Sequence, residues 1–159
     1  MLPYMECSFI EMKFNNNKYL IGGIYRVPNT SINCFIEKLN SLIEPLKSSH
    51  KIILLGDYKI ILLGDYNINL LKNYKFKDSF ELSLQSNYLI PTIVSATRVA
   101  AKKQDNQEVT SATLIDNILI NYDVKYQSGI IETSITDHYS IYNSSRNLKK
   151  YINNNSNTF

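Results

Sequence analysis

The octapeptide KIILLGDY occurs twice in immediate succession, at residues 51–58 and 59–66, and only the second copy continues into Asn67. Its run of Ile-Ile-Leu-Leu is short, rich in β-branching and free of polar interruption. Such a run reads as a strand buried on both faces, which occurs where other layers cover it from both sides. The doubling leaves the register open. Eight is an even number, so either copy fills the strand with the same alternation of faces, and residues 51–66 also suit a local hairpin.

The flanking sequence supplies candidate layers. Residues 6–14 (ECSFIEMKF) alternate polar and apolar, Asn15-Asn16-Asn17 makes a turn, and residues 19–25 (YLIGGIY) are a second apolar strand, so the pair predicts a hairpin. Pro28-Asn29 closes that strand. Ile32, Phe35, Ile36, Leu39, Leu42, Ile43 and Leu46 recur at steps of three and four. They predict an amphipathic helix with Thr30 or Ser31 as N-cap, and Pro45 predicts a kink or an end near Glu44. His50, at that helix end, reads as a structural group near the last carbonyls. Residues 78–88 read as a shorter helix, 101–110 (AKKQDNQEVT) as a polar surface loop, and 114–120 as another buried strand. Residues 130–135 lead into a last strand beginning near His138. From Asn143 the composition turns to Asn, Ser and Lys and predicts disorder. The expected organisation is one α/β or α+β domain over residues 1–142, followed by a disordered Asn-rich tail at 143–159.

Composition narrows the function classes. Hydrophobic residues are 44% and charged residues 19% of the 159 residues, as in soluble globular chains. A net charge of +3 permits contact with a nucleic-acid backbone without arguing for it. Cys7 and Cys34 share no metal-ligand spacing and form no disulfide framework, which points to a reducing, intracellular setting, nuclear or cytoplasmic. Residues 1–10 lack the basic start and long apolar run of a signal peptide. No apolar run approaches the roughly 20 residues of a membrane span, so no membrane partner is expected.

Three apolar strands end in acids or amides: Gly64-Asp65-Tyr66-Asn67, Leu114-Ile115-Asp116-Asn117 and Thr136-Asp137-His138. Strand ends are rigid and open, which suits reactive groups. Each cluster alone is an ordinary turn or cap signal. The ordered set, preceded by Tyr25-Arg26-Val27-Pro28 and joined by Thr97-Arg98 and Ser111-Ala112-Thr113, resembles the endonuclease/exonuclease/phosphatase superfamily. Within it the set is most similar to the endonuclease domain of LINE-type non-LTR retrotransposons, a relative of the abasic-site nucleases, whose corresponding motif reads GDFN where this chain has GDYN. The resemblance covers about residues 6–142.

The resemblance implies an α/β sandwich in four layers and Mg²⁺-dependent hydrolysis of a phosphodiester, nicking DNA through contacts to its phosphate backbone. Asp65 would orient or deprotonate the attacking water, and Asn67 would hydrogen-bond a phosphate oxygen or the nucleophile. Asp137 would hold Mg²⁺, with Mn²⁺ as an alternative. His138 would donate to the scissile phosphate while Asp116 fixes its ring, the usual arrangement for a catalytic imidazole. Tyr25 would face the phosphate from the opposite wall, and Arg26 and Arg98 are candidate backbone contacts. Only the second octapeptide carries the amide of Asn67. The first is followed by Lys59, which accepts no hydrogen bond, so Asp65 is preferred over Asp57.

The chain also departs from the pattern. The strands that precede Tyr-Arg-x-Pro in the family, with an Asn and a metal-ligating Glu, have no counterpart here, and Glu6 and Glu11 match neither. The resemblance therefore implies a partial sandwich with N-terminal strands missing, weak binding of Mg²⁺ and an uncovered apolar sheet face. Impaired catalysis follows, and the alternative is a catalytically dead remnant with at most weak nucleic-acid binding. A phosphatase of the same superfamily is disfavoured by Tyr-Arg-x-Pro and Thr-Arg.

Overall fold

The second octapeptide forms the central strand. The computed structural model describes residues 4–14, 17–48, 58–104, 107–121 and 125–145. The first copy apart from Tyr58, with Asp57 and His50, lies outside the described residues. In chain order the elements are β1 (Met5–Phe14), β2 (Asn17–Arg26), α1 (Ile32–Ser48), β3 (Tyr58–Asp65), α2 (Lys75–Ser86), β4 (Ile90–Pro91), β5 (Arg98–Gln104), β6 (Gln107–Thr113), β7 (Asp116–Ile120), β8 (Tyr126–Ile131) and β9 (Ser140–Ser145). The architecture is mixed α/β. Its main sheet runs β1-β2-β3-β7-β4, and two separate ribbons pair β5 with β6 and β8 with β9.

β1 and β2 form the expected hairpin. β2 and β3 are parallel, and parallel neighbours need a crossover, which α1 supplies. Ser31 is its N-cap, its Oγ accepting from the Cys34 N–H at 3.3 Å. The expected end near Glu44 is not observed, since α1 runs to Ser48 with Pro45 inside it. Pro45 sits in the last turn and removes a single donor there, too little to end the helix earlier. Buried Phe35, Leu39 and Ile43 of α1 and Phe80 and Leu84 of α2 pack on one face of the sheet, against Ile24, Ile60, Leu62 and Leu119. The second helix spans residues 75–86, three residues earlier at its start than the sequence suggested, and closes when the N–H groups of Tyr88 and Leu89 return to Gln85 and Leu84.

Two stretches depart from expectation. Residues 101–104 and 107–110 are not a loop: β5 and β6 pair from Arg98↔Thr113 to Gln104↔Gln107 as a ribbon. Ala101 and residues 109–112 are exposed, so no buried face imposes an apolar alternation on them. β9 runs to Ser145, so Asn143, Ser144 and Ser145, placed in the tail, pair with β8 instead. Residues 146–159 lie outside the described residues. No helix among the described residues is long and apolar enough to cross a membrane.

The opposite sheet face is unevenly covered. Ile118 and Ile120 of β7 are buried, with β9 lying against that strand. Among the described residues Ile10, Met12 and Phe14 of β1 and Leu63 of β3 are exposed, so β3 is buried on its helix face only, not on both faces as its unbroken apolar run suggested.

Tyr66 begins the turn after β3 and is 1% exposed. Its ring lies 6.4 Å from Phe35 and 5.6 Å from Phe80, an aromatic cluster joining both helices to the sheet. Its hydroxyl has no hydrogen-bond partner among the described residues, and burial pushes the phenol pKa upward. A buried hydroxyl without a partner is a cost that Phe avoids. Tyr66→Phe is therefore expected to stabilise the protein by about 1 kcal/mol in urea denaturation.

Candidate active site

Asp65 ends β3 and Asp116 begins β7, and the sheet register sets them opposite each other, with Tyr25 of β2 beside Asp65. Tyr25, Asp65 and Asp116 thus form one row across three strands, on the face away from the helices. Gly64 makes the row possible. At φ 158° its backbone lies so close to β2 that an added Cβ would stand 1.6 Å from the Ile24 carbonyl oxygen, and no other residue fits there. Beyond it the chain turns sharply. Asp65 Oδ1 accepts from the Asn67 N–H at 2.8 Å, and Asn67 takes φ 49°, a left-handed conformation that Asn tolerates.

A second turn system brings in His138. Thr97 is fully buried, and its Oγ1 accepts from the N–H groups of Ile115 at 3.2 Å and Asp116 at 3.1 Å. Its carbonyl accepts from the Tyr139 N–H at 2.7 Å, while the Val99 N–H donates to the Asp137 carbonyl. Residues 97–99 therefore hold Asp116 and the His138 segment at once. The Thr136 hydroxyl donates to the His138 carbonyl and accepts from its N–H. The imidazole Nδ1 then lies 3.2 and 3.3 Å from the two carboxylate oxygens of Asp116.

Asp65, Asp116 and His138 each offer one ligand atom, and these atoms lie within 4.8 Å of one another. Burial pushes the Asp65 carboxyl above the usual carboxylate range, and the neighbouring Asp116 charge adds to this, against the lowering effect of the Asn67 N–H, His138 and Arg26. Two facing carboxylates with an imidazole fit a divalent cation such as Mg²⁺ or Mn²⁺: the oxygens are hard donors and the cation would relieve their repulsion.

The other expected site residues fare differently. Tyr25 is partly exposed and borders a cavity of about 480 Å³ with Glu6, Cys7 and Leu63. The Asn67 side chain is turned inward, its Nδ2 donating to the Arg26 carbonyl at 2.8 Å. Arg26, expected at the DNA backbone, is buried at 5% exposure, and its guanidinium donates to internal carbonyls, so it has no surface to offer a substrate. Asp137, expected to hold the metal, stands outside the cluster. Its Oδ2 pairs with Arg98 Nε at 2.6 Å, and that hydrogen bond holds its carboxyl below the usual range. Arg98 is half-exposed but engaged in the same pair.

Sequence reasoning assigned no role to Thr97 or to Asn117. Asn117 is 1% exposed, and its Oδ1 accepts from the N–H groups of Thr92 and Ile93 while its Nδ2 donates to the Ile93 carbonyl. A lone amide inside an apolar strand was the available signal, since buried polar groups need partners.

No family model and no curated protein matches the chain. Solved structures do. The endonuclease domain of TRAS1, a telomere-specific non-LTR retrotransposon, aligns with TM-score 0.66 at 12% identity, over 90% of this chain and 64% of that one. An endonuclease/exonuclease/phosphatase family protein from Leptotrichia buccalis aligns with TM-score 0.60 at 16% identity, over 88% and 53%. TDP2 from D. rerio, solved with a single-strand DNA product, aligns with TM-score 0.59 at 13% identity, over 89% and 62%. The fold is thus that of endonuclease/exonuclease/phosphatase proteins. The chain spans between half and two-thirds of the length of these structures.

The raised Asp65 carboxyl carries a signed consequence. The protonated form is favoured on folding, so the ionised form costs stability as pH rises through the folded-state value, and below the unfolded-state value no cost remains. In EDTA, Asp65→Asn is expected to raise the thermal midpoint at pH 7. The gain should fade as pH falls below the ordinary carboxylate range, read by scanning calorimetry across pH.

Proposed function

We propose that this chain carries out divalent-metal-dependent phosphodiester hydrolysis, nicking DNA in the manner of a retrotransposon endonuclease, with impaired catalysis. The observation that carries this reading is the Asp65–Asp116–His138 cluster at the strand ends of an endonuclease/exonuclease/phosphatase-type fold. Asp65 orients the attacking water. Asp116 accepts from Nδ1 of His138 and fixes the ring, so that Nε2 is presented to a phosphate oxygen. Tyr25, next in the row, borders the same surface. Asp65 and Asp116 would hold Mg²⁺ or Mn²⁺, which supplies charge neutralisation to the phosphoryl group. The structures of TRAS1 and of TDP2 with its DNA product support DNA as the substrate class, and an intracellular, nuclear or cytoplasmic setting accompanies that reading.

Impairment rests on the ligand set: the described cluster offers two carboxylates and an imidazole and no counterpart of the family's metal-ligating Glu, so Mg²⁺ would complete its octahedron with water and substrate oxygens. Two further observations favour the second reading, a non-cleaving protein with weak nucleic-acid affinity: Asp137 is held by Arg98 and the Asn67 amide by Arg26.

Supercoiled plasmid incubated with purified protein separates the two. Nicking is expected with Mg²⁺ or Mn²⁺, none with EDTA, and a loss of about 10²-fold or more in His138→Ala. A folded protein that binds DNA and leaves the plasmid intact in either metal would assign the second reading.

A further inference from the structure

Arg26 forms a closed circuit with the turn that bears Asp65. Nε donates to the Tyr66 carbonyl at 2.8 Å, Nη2 to the Asn67 carbonyl at 2.9 Å, and Nη1 to the Thr30 carbonyl at 2.9 Å. The Thr30 hydroxyl lies a further 3.3 Å from Nη1 and is itself anchored on the Val27 carbonyl. In return the Asn67 side chain donates to the carbonyl of Arg26 itself. The bonds to Tyr66 and Asn67 span about forty residues of sequence and tie the end of β2 to the turn after β3. A planar fork of five donors suits several carbonyls in different directions, whereas a lysine ammonium is a single point of charge.

The circuit reaches the cluster through one more bond. The Asn67 N–H that donates to Asp65 Oδ1 belongs to a residue in the left-handed region, one of several conformations open to an Asn. The guanidinium selects it by holding the carbonyls on both sides of that N–H. Its grip therefore sets the rotation of the Asp65 carboxylate toward Asp116 and His138.

We propose that Arg26 is a positioning residue: it locks the 65–67 turn so that Asp65 completes the cation-holding cluster, and it makes no contact with DNA. This rests on the nuclease reading above. A phosphate contact and a positioning role predict different behaviour. If Arg26 met the backbone, Arg26→Gln would lower the salt slope of DNA binding by about one unit, and Arg26→Lys would largely keep it. If Arg26 positions Asp65, both variants keep the wild-type slope, and both bind cation more weakly, by about tenfold or more, as expected when a supporting hydrogen bond to a ligand is lost.

The experiment takes wild type, Arg26→Lys and Arg26→Gln through three readouts: Mn²⁺ titration followed by the EPR signal of free Mn²⁺, DNA affinity against salt by anisotropy in EDTA, and nicking kcat and KM. Weakened Mn²⁺ binding and lowered kcat in both variants, with salt slope and KM unchanged, is the expected result. Wild-type Mn²⁺ affinity in folded variants, or a reduced salt slope in Arg26→Gln, overturns the assignment. Because Arg26 is buried, wild-type protein supplies a second measurement that does not depend on variants folding. Its Nε–H resonance is expected to be protected from solvent exchange and unmoved by added DNA, and a DNA-dependent shift overturns the proposal equally. If wild type binds neither Mn²⁺ nor DNA, the nuclease reading itself fails and this assignment falls with it, an outcome distinct from variants that merely match wild type.

Discussion

The close approach of β3 to β2 at Gly64 is the constraint on which the site depends. An added Cβ there would overlap the Ile24 carbonyl, so the two parallel strands meet at a distance only glycine permits. That contact carries the register to its last pair, Tyr25 with Asp65, and β7 continues the row to Asp116. It also fixes where Tyr66 enters the core, between Phe35 and Phe80. Site and core are therefore set by one backbone contact. The residue on one side of Asp65 serves packing against β2, and the residue on the other joins the two helices to the sheet.

Beyond the strand ends, geometry passes from ladders to individual buried polar groups. Arg26 governs the turn after β3, Thr97 the start of β7, and Asn117 the segment leading to Thr97. Each is almost wholly removed from solvent and each distributes its bonds to backbone groups distant in sequence. A buried donor or acceptor left alone is costly, so such residues tolerate few arrangements, and that intolerance is what makes them precise supports. Within the cluster they frame, Asp65 meets both burial and the Asp116 charge.

The sheet is covered unequally. Its helix face is closed by α1 and α2, and β7 is shielded on the other side, yet β1 presents Ile10, Met12 and Phe14 to solvent. Among the described residues β1 is also the edge of the sheet.

Much of the architecture was legible in the residues. Alternation located β1 and the 3.6-residue period α1, because burial on one face imposes its period on the chain, while short apolar runs located β2 and β7. Gly-Asp, Ile-Asp and Asp-His at strand ends singled out Asp65, Asp116 and His138, since small sets of titratable groups at rigid ends are conspicuous in sequence. The β5–β6 ribbon carries no such signal, because Ala101 and residues 109–112 are exposed and no buried face gives them a period. The sequence by itself determined which groups are available for chemistry and where β1, β2 and the central strand lie. Only the tertiary structure decided how they are used. It turned Arg26 and the Asn67 amide inward, paired Asp137 with Arg98, and placed the second octapeptide in β3. Those outcomes depend on contacts between residues about forty apart, and local periodicity carries no information about which distant carbonyl a guanidinium will meet.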